Sequence, residues 1–328
     1  MDRRAFVAAM ASGILAGPLS ARAQQRAART VRVGVLRAAP DAPIFRQNFA
    51  LFRQALHESG FVEGTNLVIE FRVRAGRTED MAGLAAELVR LGMDGIVAIG
   101  PAAVRAAAGA TKSIPIVAVD LESDPVAAGF VTSLARPGRN VTGVFLDFPE
   151  LSGKWIQLLG ELVSKLSRIA AVWDPSTPPN LLRGAEAAGR ALRVEVLALE
   201  ALSAEDFAAA FRSATEKRAD AVMVLSSPVF YSARPQIVDA AARHRMPTIM
   251  PFPEFADHGG LIAYGPNVPA MFRQAGDVMV KVLRGTRPGD VPLELPARFE
   301  LSVNRRTAAS LGLTVPPSLL VRADRVID

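Results

Sequence analysis

Short apolar runs alternate with amphipathic segments along almost the whole 328-residue chain, and this alternation limits the possible folds more than any other feature. The runs VRVGVL, GIVAIG and IPIVAV are continuous and rich in β-branched residues, as in strands buried on both faces. The segment after the first run places Phe45, Phe49, Phe52 and Leu56 on one face of a helix. Strands that alternate with helices predict parallel sheets covered by helices.

The alternating pattern occurs twice, which predicts an α/β protein of two Rossmann-like lobes joined by a hinge. The junction is expected near Leu146 to Glu150. We assign residues 30–146 and about 262–286 to the first lobe, and residues 147–260 and about 290–328 to the second, because the C-terminal part is too short for a third lobe. Ligands are expected at the carboxyl ends of the strands.

The N-terminal residues 1–23 have the pattern of an export signal rather than of a membrane anchor. A charged start with Arg3 and Arg4 precedes an apolar run that glycine and proline interrupt, and an A-x-A pattern ends at Ala23. We expect cleavage after Ala23 and export to the periplasm by the Tat or the Sec route. The chain contains no cysteine, which excludes disulfides, thiolate metal sites and a lipid anchor on cysteine.

The first-lobe candidates for binding a solute follow predicted strands. Arg37 and Ala38 come after the first strand, where an arginine can bind a carboxylate bidentately or lie solvated on the surface. Gly100, Pro101 and Ala102 begin a helix after GIVAIG. Exposed N–H groups and the dipole at such a helix start favour an anionic group of the solute.

Three carboxylates follow the strand IPIVAV at alternate positions, namely Asp120, Glu122 and Asp124. Asp124 precedes Pro125, and this pair is typical of a helix N-cap. A calcium loop is excluded because proline stands where that loop requires glycine. Asp120 and Glu122 point to the same side of an extended chain, so one of them is predicted to receive a cationic or hydroxylated part of the solute. A solvated rim is the alternative.

Further candidates lie at the hinge, on the second lobe and at a predicted crossing between the lobes. They are the hinge residue Asp147, and Trp173, Ser226, Ser227, Glu254 and Tyr264. An aromatic ring with small hydroxyls and a carboxylate suits a small polar solute that has a flat apolar part. Core packing remains open for Trp173, and Tyr264 either lines the cleft or covers its edge.

The sequence offers no pattern for catalysis, for a cofactor or for nucleic-acid binding. His57, His244 and His258 lack the spacing of metal ligands, and neither a G-x-G-x-x-G nor a Walker loop occurs. The formal net charge is +6, but no block of five or more basic residues concentrates it. We therefore predict no cofactor and no nucleic-acid partner.

A set of motifs in a fixed order resembles one protein family. FVEGTNL, DPVAAGFVTSLARPGRNVTG, PELSGKW, GGLIAYGPN and LGLTVPPSLLVRADRVI follow one another over nearly all of the mature chain. This order is similar to that of type I periplasmic solute-binding proteins, in particular the substrate-binding subunits of ABC importers whose characterised members take aromatic amino acids. At Gly100, where family members often carry a threonine, this chain departs from the pattern, as it does at Asp120 and Glu122.

The resemblance implies a hinged, monomeric receptor that closes around one small solute and delivers it to an ABC permease in the inner membrane. A periplasmic enzyme or a sensor input module on the same scaffold is the alternative function, because a fold does not determine a function.

Overall fold

The computed structural model describes residues 30–73, 80–146 and 151–328, which form two α/β lobes. The predicted export signal and the hinge candidate Asp147 lie outside the described residues. Each lobe contains one open sheet that packs against helices.

The sheet of the first lobe has five strands, all parallel, in the order β2-β1-β3-β4-β5. Along the chain the strands are β1 Val31–Arg37, β2 Leu67–Val73, β3 Gly95–Ile99, β4 Ile116–Asp120 and β5 Val141–Phe145. The helices are α1 Pro43–Glu58, α2 Met81–Arg90 and α3 Pro101–Ala110. The strands β3, β4 and β5 are buried at every position, which explains why their sequences are continuous apolar runs.

The sheet of the second lobe has seven strands in the order β12-β11-β10-β9-β8-β6-β7, and only the pair β10–β11 is antiparallel. The strands are β6 Arg168–Trp173, β7 Glu195–Glu200, β8 Ala221–Val224, β9 Thr248–Met250, β10 Ile262–Pro266, β11 Phe299–Asn304 and β12 Arg325–Ile327. The next elements are α4 Ser152–Leu162, α5 Asn180–Leu192, α6 Ala204–Glu216, α7 Pro228–Ser232 and α8 Arg234–Arg243. They are followed by α9 Val268–Leu283, α10 Arg305–Leu311, α11 Pro317–Arg322 and short 3-10 helices at Pro253–His258 and Pro288–Asp290.

The C-terminal part of the chain crosses between the lobes, although not where the sequence placed the crossings. We expected about 262–286 in the first lobe, but β10 pairs with β9 and β11 in the second sheet. Within this range, α9 packs on the first lobe, against α1 and the strands β3, β4 and β5. An ideal Cβ at Gly276 would lie 2.6 Å from the Cβ of Ala55, so glycine permits the close approach of α9 to α1.

The chain after α9 also differs from the prediction, which placed about 290–328 in the second lobe. The N–H of Glu294 donates to the carbonyl of Gly143, and Val144 forms a parallel bridge with Glu294. This segment therefore extends the edge of the first sheet, and the chain returns to the second lobe only before β11.

The helix start expected at Asp124 and Pro125 is instead a turn over residues 125–129. Asp124 still acts as a cap, because its Oδ1 accepts hydrogen bonds from the N–H groups of Val126 at 2.9 Å and Ala127 at 3.0 Å. Its side chain stabilises an exposed turn rather than a helix start.

Candidate functional site

A cavity lies between the lobes at the carboxyl ends of their parallel strands, where the topology favours a ligand site. The space that the centres of water molecules can occupy has a volume of about 50 Å³. The first lobe contributes residues of its sheet and helices to the cavity wall, namely Arg37, Phe45, Asn48, Ile99, Gly100, Val119, Leu121 and Glu122. The second lobe contributes Ser227, Pro228, Tyr231 and Phe252, and Val268, Met271 and Phe272 come from the region of α9.

Arg37 ends β1 and is 2 % exposed. Its guanidinium lies 4.4 Å from the centre of the Phe45 ring and donates hydrogen bonds to the carbonyls of Ala39 and Pro40. A further N–H donates to the Oγ of Ser232 on the second lobe at 2.8 Å. Burial lowers the pKa of Arg37 to about 10. The sequence placed Arg37 at the site, and the structure makes it a buried wall residue that also joins the lobes.

A second contact between the lobes joins α1 to α7. The side-chain amide of Asn48 donates to the phenolic oxygen of Tyr231 at 2.8 Å. The Tyr231 ring packs edge-on against Phe252 with centroids 5.0 Å apart, and the guanidinium of Arg234 lies over its other side. Burial, with the nearby Glu254 carboxylate, raises the pKa of Tyr231 above its usual value, so its hydroxyl stays protonated.

The two buried carboxylates in the turn after β4, Asp120 and Glu122, have different roles. Asp120 accepts hydrogen bonds at its Oδ1 from the N–H groups of Glu122 at 3.0 Å and Ser123 at 3.1 Å, so it closes the turn on itself. Its Oδ2 is buried without a hydrogen-bond partner among residues 30–73, 80–146 and 151–328. Burial raises the pKa of Asp120.

Glu122 lines the cavity and contacts the second lobe. The Ser226 hydroxyl donates to its Oε1 at 2.5 Å, and the N–H of Leu121 donates to its Oε2 at 3.3 Å. Burial, reinforced by the neighbouring Asp120, raises the pKa of Glu122 to about 8. At neutral pH this carboxyl is therefore mostly uncharged while the lobes are closed.

Ser227 fixes the start of α7. Its Oγ accepts from the N–H of Val229 at 3.0 Å and donates to the Oδ2 of the buried Asp174 at 2.6 Å. This arrangement holds Pro228 against Gly100 of the first lobe. Gly100 has a φ of +84°, and an ideal Cβ there would lie 2.7 Å from the Cγ of Pro228. Glycine at this position thus permits both the local backbone and the close approach of the lobes.

Three first-lobe candidates lie behind the cavity wall. Ala38 is half-buried and packs on the first-lobe core. Pro101 is buried at the first position of α3. Ala102 faces a separate surface groove between α2 and α3. None of the three is among the residues that line the cavity.

Besides Ser226, which reaches the cavity only through its contact with Glu122, three second-lobe candidates also lie outside the cavity wall. Trp173 is half-buried, and its Nε1 has no hydrogen-bond partner in the described part of the chain. Tyr264 packs its ring on Phe299 with centroids 6.2 Å apart. Glu254 begins a 3-10 helix near Tyr231, and burial raises its pKa to about 7.

The sequence did not indicate two wall residues or the residue that binds Arg37. Asn48 and Tyr231 line the cavity and form the polar contact between α1 and α7, and Ser232, outside the wall, accepts a hydrogen bond from Arg37. Each lies within a helix, whereas the topology rule for ligand sites applies to strand ends and helix starts. The rare tyrosine and the buried asparagine on an otherwise phenylalanine-rich face were the available signals.

Two α/β lobes that enclose a cavity at their strand ends define a solute-binding protein of the two-lobe type. Comparison with known families agrees, because residues 43–327 match the model of the ABC transporter substrate binding protein family. The chain belongs to this family. The predicted resemblance, the fold class and the general function of a solute-binding protein of an ABC transporter are confirmed.

Individual relatives show the same architecture. A tyrosine-binding protein of Clostridioides difficile is 26% identical over 264 residues, which cover 80% of this chain and 75% of that protein. A crystal structure of an ABC domain in complex with L-Trp from Streptococcus pneumoniae is 25% identical, with a TM-score of 0.82 over 91% of this chain and 100% of that one. A conserved domain protein from Vibrio cholerae has the same fold, at 24% identity and a TM-score of 0.83 over 91% and 100% of the two chains.

Members of this family bind solutes outside the cytoplasm and serve membrane permeases. Within the described residues, no helix has the length and apolar character needed to span a bilayer.

Proposed function

We propose that the mature chain is a monomeric periplasmic receptor that encloses one small solute in the cavity between its lobes and delivers it to an inner-membrane ABC permease. In this proposal residues 1–23 direct export and are removed after Ala23. The protein binds its solute and does not transform it.

The main support is that both lobes supply polar groups to a single cavity. Arg37, Asn48 and Glu122 of the first lobe each contact a side chain of the second. Such contacts form only when the lobes are closed, so a solute that fills the cavity and adds contacts to both lobes favours closure.

The size and lining of the cavity support a solute with an apolar ring or short chain. Phe45, Phe252, Phe272 and Tyr231 surround it. The relatives named as binding tyrosine and L-Trp take ligands with aromatic side chains. The 50 Å³ of the cavity corresponds to several water molecules at about 10–15 Å³ each, which suits a smaller body than indole unless the walls move.

A thermal-shift screen against a panel of aromatic acids, amino acids and small carboxylates tests binding first. A ligand at 100 times its Kd raises the free energy of unfolding by about 2.7 kcal/mol, so a true ligand gives a clear increase in melting temperature. Small-angle scattering then measures the radius of gyration with and without that ligand. Binding without any decrease in radius contradicts closure around the solute.

The two tyrosines of the chain provide a matched pair of variants. Tyr231→Phe removes the hydroxyl that contacts Asn48 and is expected to weaken binding by about 0.5–1.5 kcal/mol, or roughly 2- to 13-fold. Tyr264→Phe removes the same atom outside the cavity wall and is expected to leave the affinity unchanged. Equal effects of both variants on Kd would place the solute elsewhere.

A further inference from the structure

The side chains of the cavity also restrict the charge of the solute. We propose that the solute is a carboxylate anion with a small apolar body and without an ammonium group, and that Arg37 is its counterion. This inference rests on the proposed binding of a solute in the interlobe cavity, and it differs from an amino-acid receptor in the charge that the cavity accepts.

Arg37 is a buried cation without a paired carboxylate. Among the described residues, no Asp or Glu oxygen lies within ion-pair distance of its guanidinium. Asp41, the carboxylate that acts on Arg37 from a distance, is instead paired with Arg46 at 3.3 Å. A buried charge that lacks a counterion destabilises the closed state, and a solute carboxylate would remove that cost.

The Arg37 guanidinium also has more N–H donors than described acceptors. Its described acceptors are two backbone carbonyls and the Ser232 hydroxyl, whereas a guanidinium carries five N–H donors. A carboxylate against its free edge would accept from the remaining donors, and the surrounding Phe45 ring shields this contact from water. Arg37 therefore supplies both charge and direction to an anionic group.

The acidic side of the cavity is already engaged by donors of the protein, which leaves fewer acceptors for an ammonium group. The two oxygens of Glu122 accept from Ser226 and from the N–H of Leu121, and the Ser227 hydroxyl lies between the N–H of Val229 and Asp174. An ammonium group carries three donors and needs acceptors for them once it is buried. The raised pKa of Glu122 adds a cost, because a solute ammonium group would have to displace the proton of this carboxyl before the two could form an ion pair.

The remaining wall is apolar. Phe45, Phe252, Met271 and Phe272 face the cavity, so the part of the solute away from Arg37 is expected to be a hydrocarbon or an aromatic ring. An arginine at one end and an apolar enclosure elsewhere match a small monocarboxylate better than a zwitterion.

Four probes that share one phenylethyl body separate these charges, namely hydrocinnamate, hydrocinnamamide, L-phenylalanine and phenethylamine. Calorimetric titration of the wild-type protein should give tightest binding to hydrocinnamate. We expect the neutral amide and L-phenylalanine to bind at least about 10-fold more weakly, the scale of one charge-assisted hydrogen bond. Equal or tighter binding of L-phenylalanine, or no binding of hydrocinnamate, would overturn the inference.

Variants of Arg37 and its neighbour test the assignment of the counterion. Arg37→Gln should weaken hydrocinnamate roughly 10- to 150-fold and bring its affinity close to that of the amide. Arg37→Lys keeps the charge and should retain a preference for the acid. Ser232→Ala removes the contact between the lobes but leaves the cation, so acid and amide should weaken in parallel with an unchanged ratio.

The outcomes also separate this inference from the proposed function. L-phenylalanine that binds and closes the lobes would refute the anion assignment while the receptor function stands. Acid preference that persists in Arg37→Gln would place the counterion elsewhere. If none of the four probes binds, the anion assignment is overturned, and the wider thermal-shift panel decides the receptor function on its own.

Discussion

The buried carboxyl of Glu122 makes the stability of the closed protein depend on pH, and Glu122→Gln isolates this effect. Its pKa rises from 4.5 to about 8, chiefly through burial. Folding therefore favours the protonated acid. The stabilising contribution is complete below pH 4.5 and is lost as the pH rises through about 8.

The two pKa values define the magnitude. They differ by about 3.5 pH units, from 4.5 to about 8, and at about 1.4 kcal/mol per unit the upper bound of the loss is about 5 kcal/mol. Glutamine has nearly the same shape and cannot ionise, so Glu122→Gln should abolish this part of the pH dependence. Near pH 5 the variant should be as stable as the wild type or slightly less stable, because the Ser226 hydroxyl then donates to an amide oxygen.

Chemical denaturation between pH 5 and pH 9 measures the effect as the difference between variant and wild-type free energies of unfolding. The difference should favour the variant increasingly as the pH rises from about 5 to about 8, and it should level off at several kcal/mol by pH 9. Glu254, whose pKa burial raises to about 7, contributes equally to both proteins and cancels. Glu216→Gln, at the exposed end of α6, is the control. Parallel pH profiles for wild type and Glu122→Gln would refute the reasoning.

Three further predictions concern closure, the turn and export. Gly100→Ala introduces a Cβ 2.7 Å from Pro228 at a positive φ and should weaken solute binding. Pro228→Ala in the same chain should restore part of the affinity, as measured by calorimetry. No recovery would locate the defect in the backbone alone. Asp124→Ala should lower the free energy of unfolding by about 0.5–1 kcal/mol with unchanged Kd, because it caps an exposed turn. Mass spectrometry of periplasmic extract should find a mature chain that begins at Gln24, and an intact chain in the membrane fraction would disprove cleavage after Ala23.

The sequence predicted the sheets well because their strands are buried on both faces. Continuous runs such as those of β3 and β4 have few alternatives to a parallel sheet, and the alternation with helices identified the α/β class. The position of β10 was missed because it depends on its antiparallel pairing with β11, a partner that lies about 35 residues further along the chain. No local pattern indicates such a partner.

Part of the cavity wall could be predicted from the sequence, and there is a physical reason why the rest could not. Arg37, Gly100 and Glu122 follow strands of a parallel sheet, so the topology alone brings them to one edge. Asn48 and Tyr231 meet only when the lobes close, across a separation of 183 residues, and helical periodicity assigns both to ordinary packing faces. Trp173 follows the same strand-end rule but packs on the second-lobe core. Tyr264, which we expected at a crossing between the lobes, lies within β10 and packs on Phe299.

A crystal structure of the mature protein with a solute identified by the thermal-shift panel would show directly where the solute binds. We expect one solute molecule enclosed between Arg37 and Tyr231, with the lobes closed and Ser226 in contact with Glu122. A solute bound in the surface groove between α2 and α3, or held by one lobe while the other stays apart, would contradict this expectation.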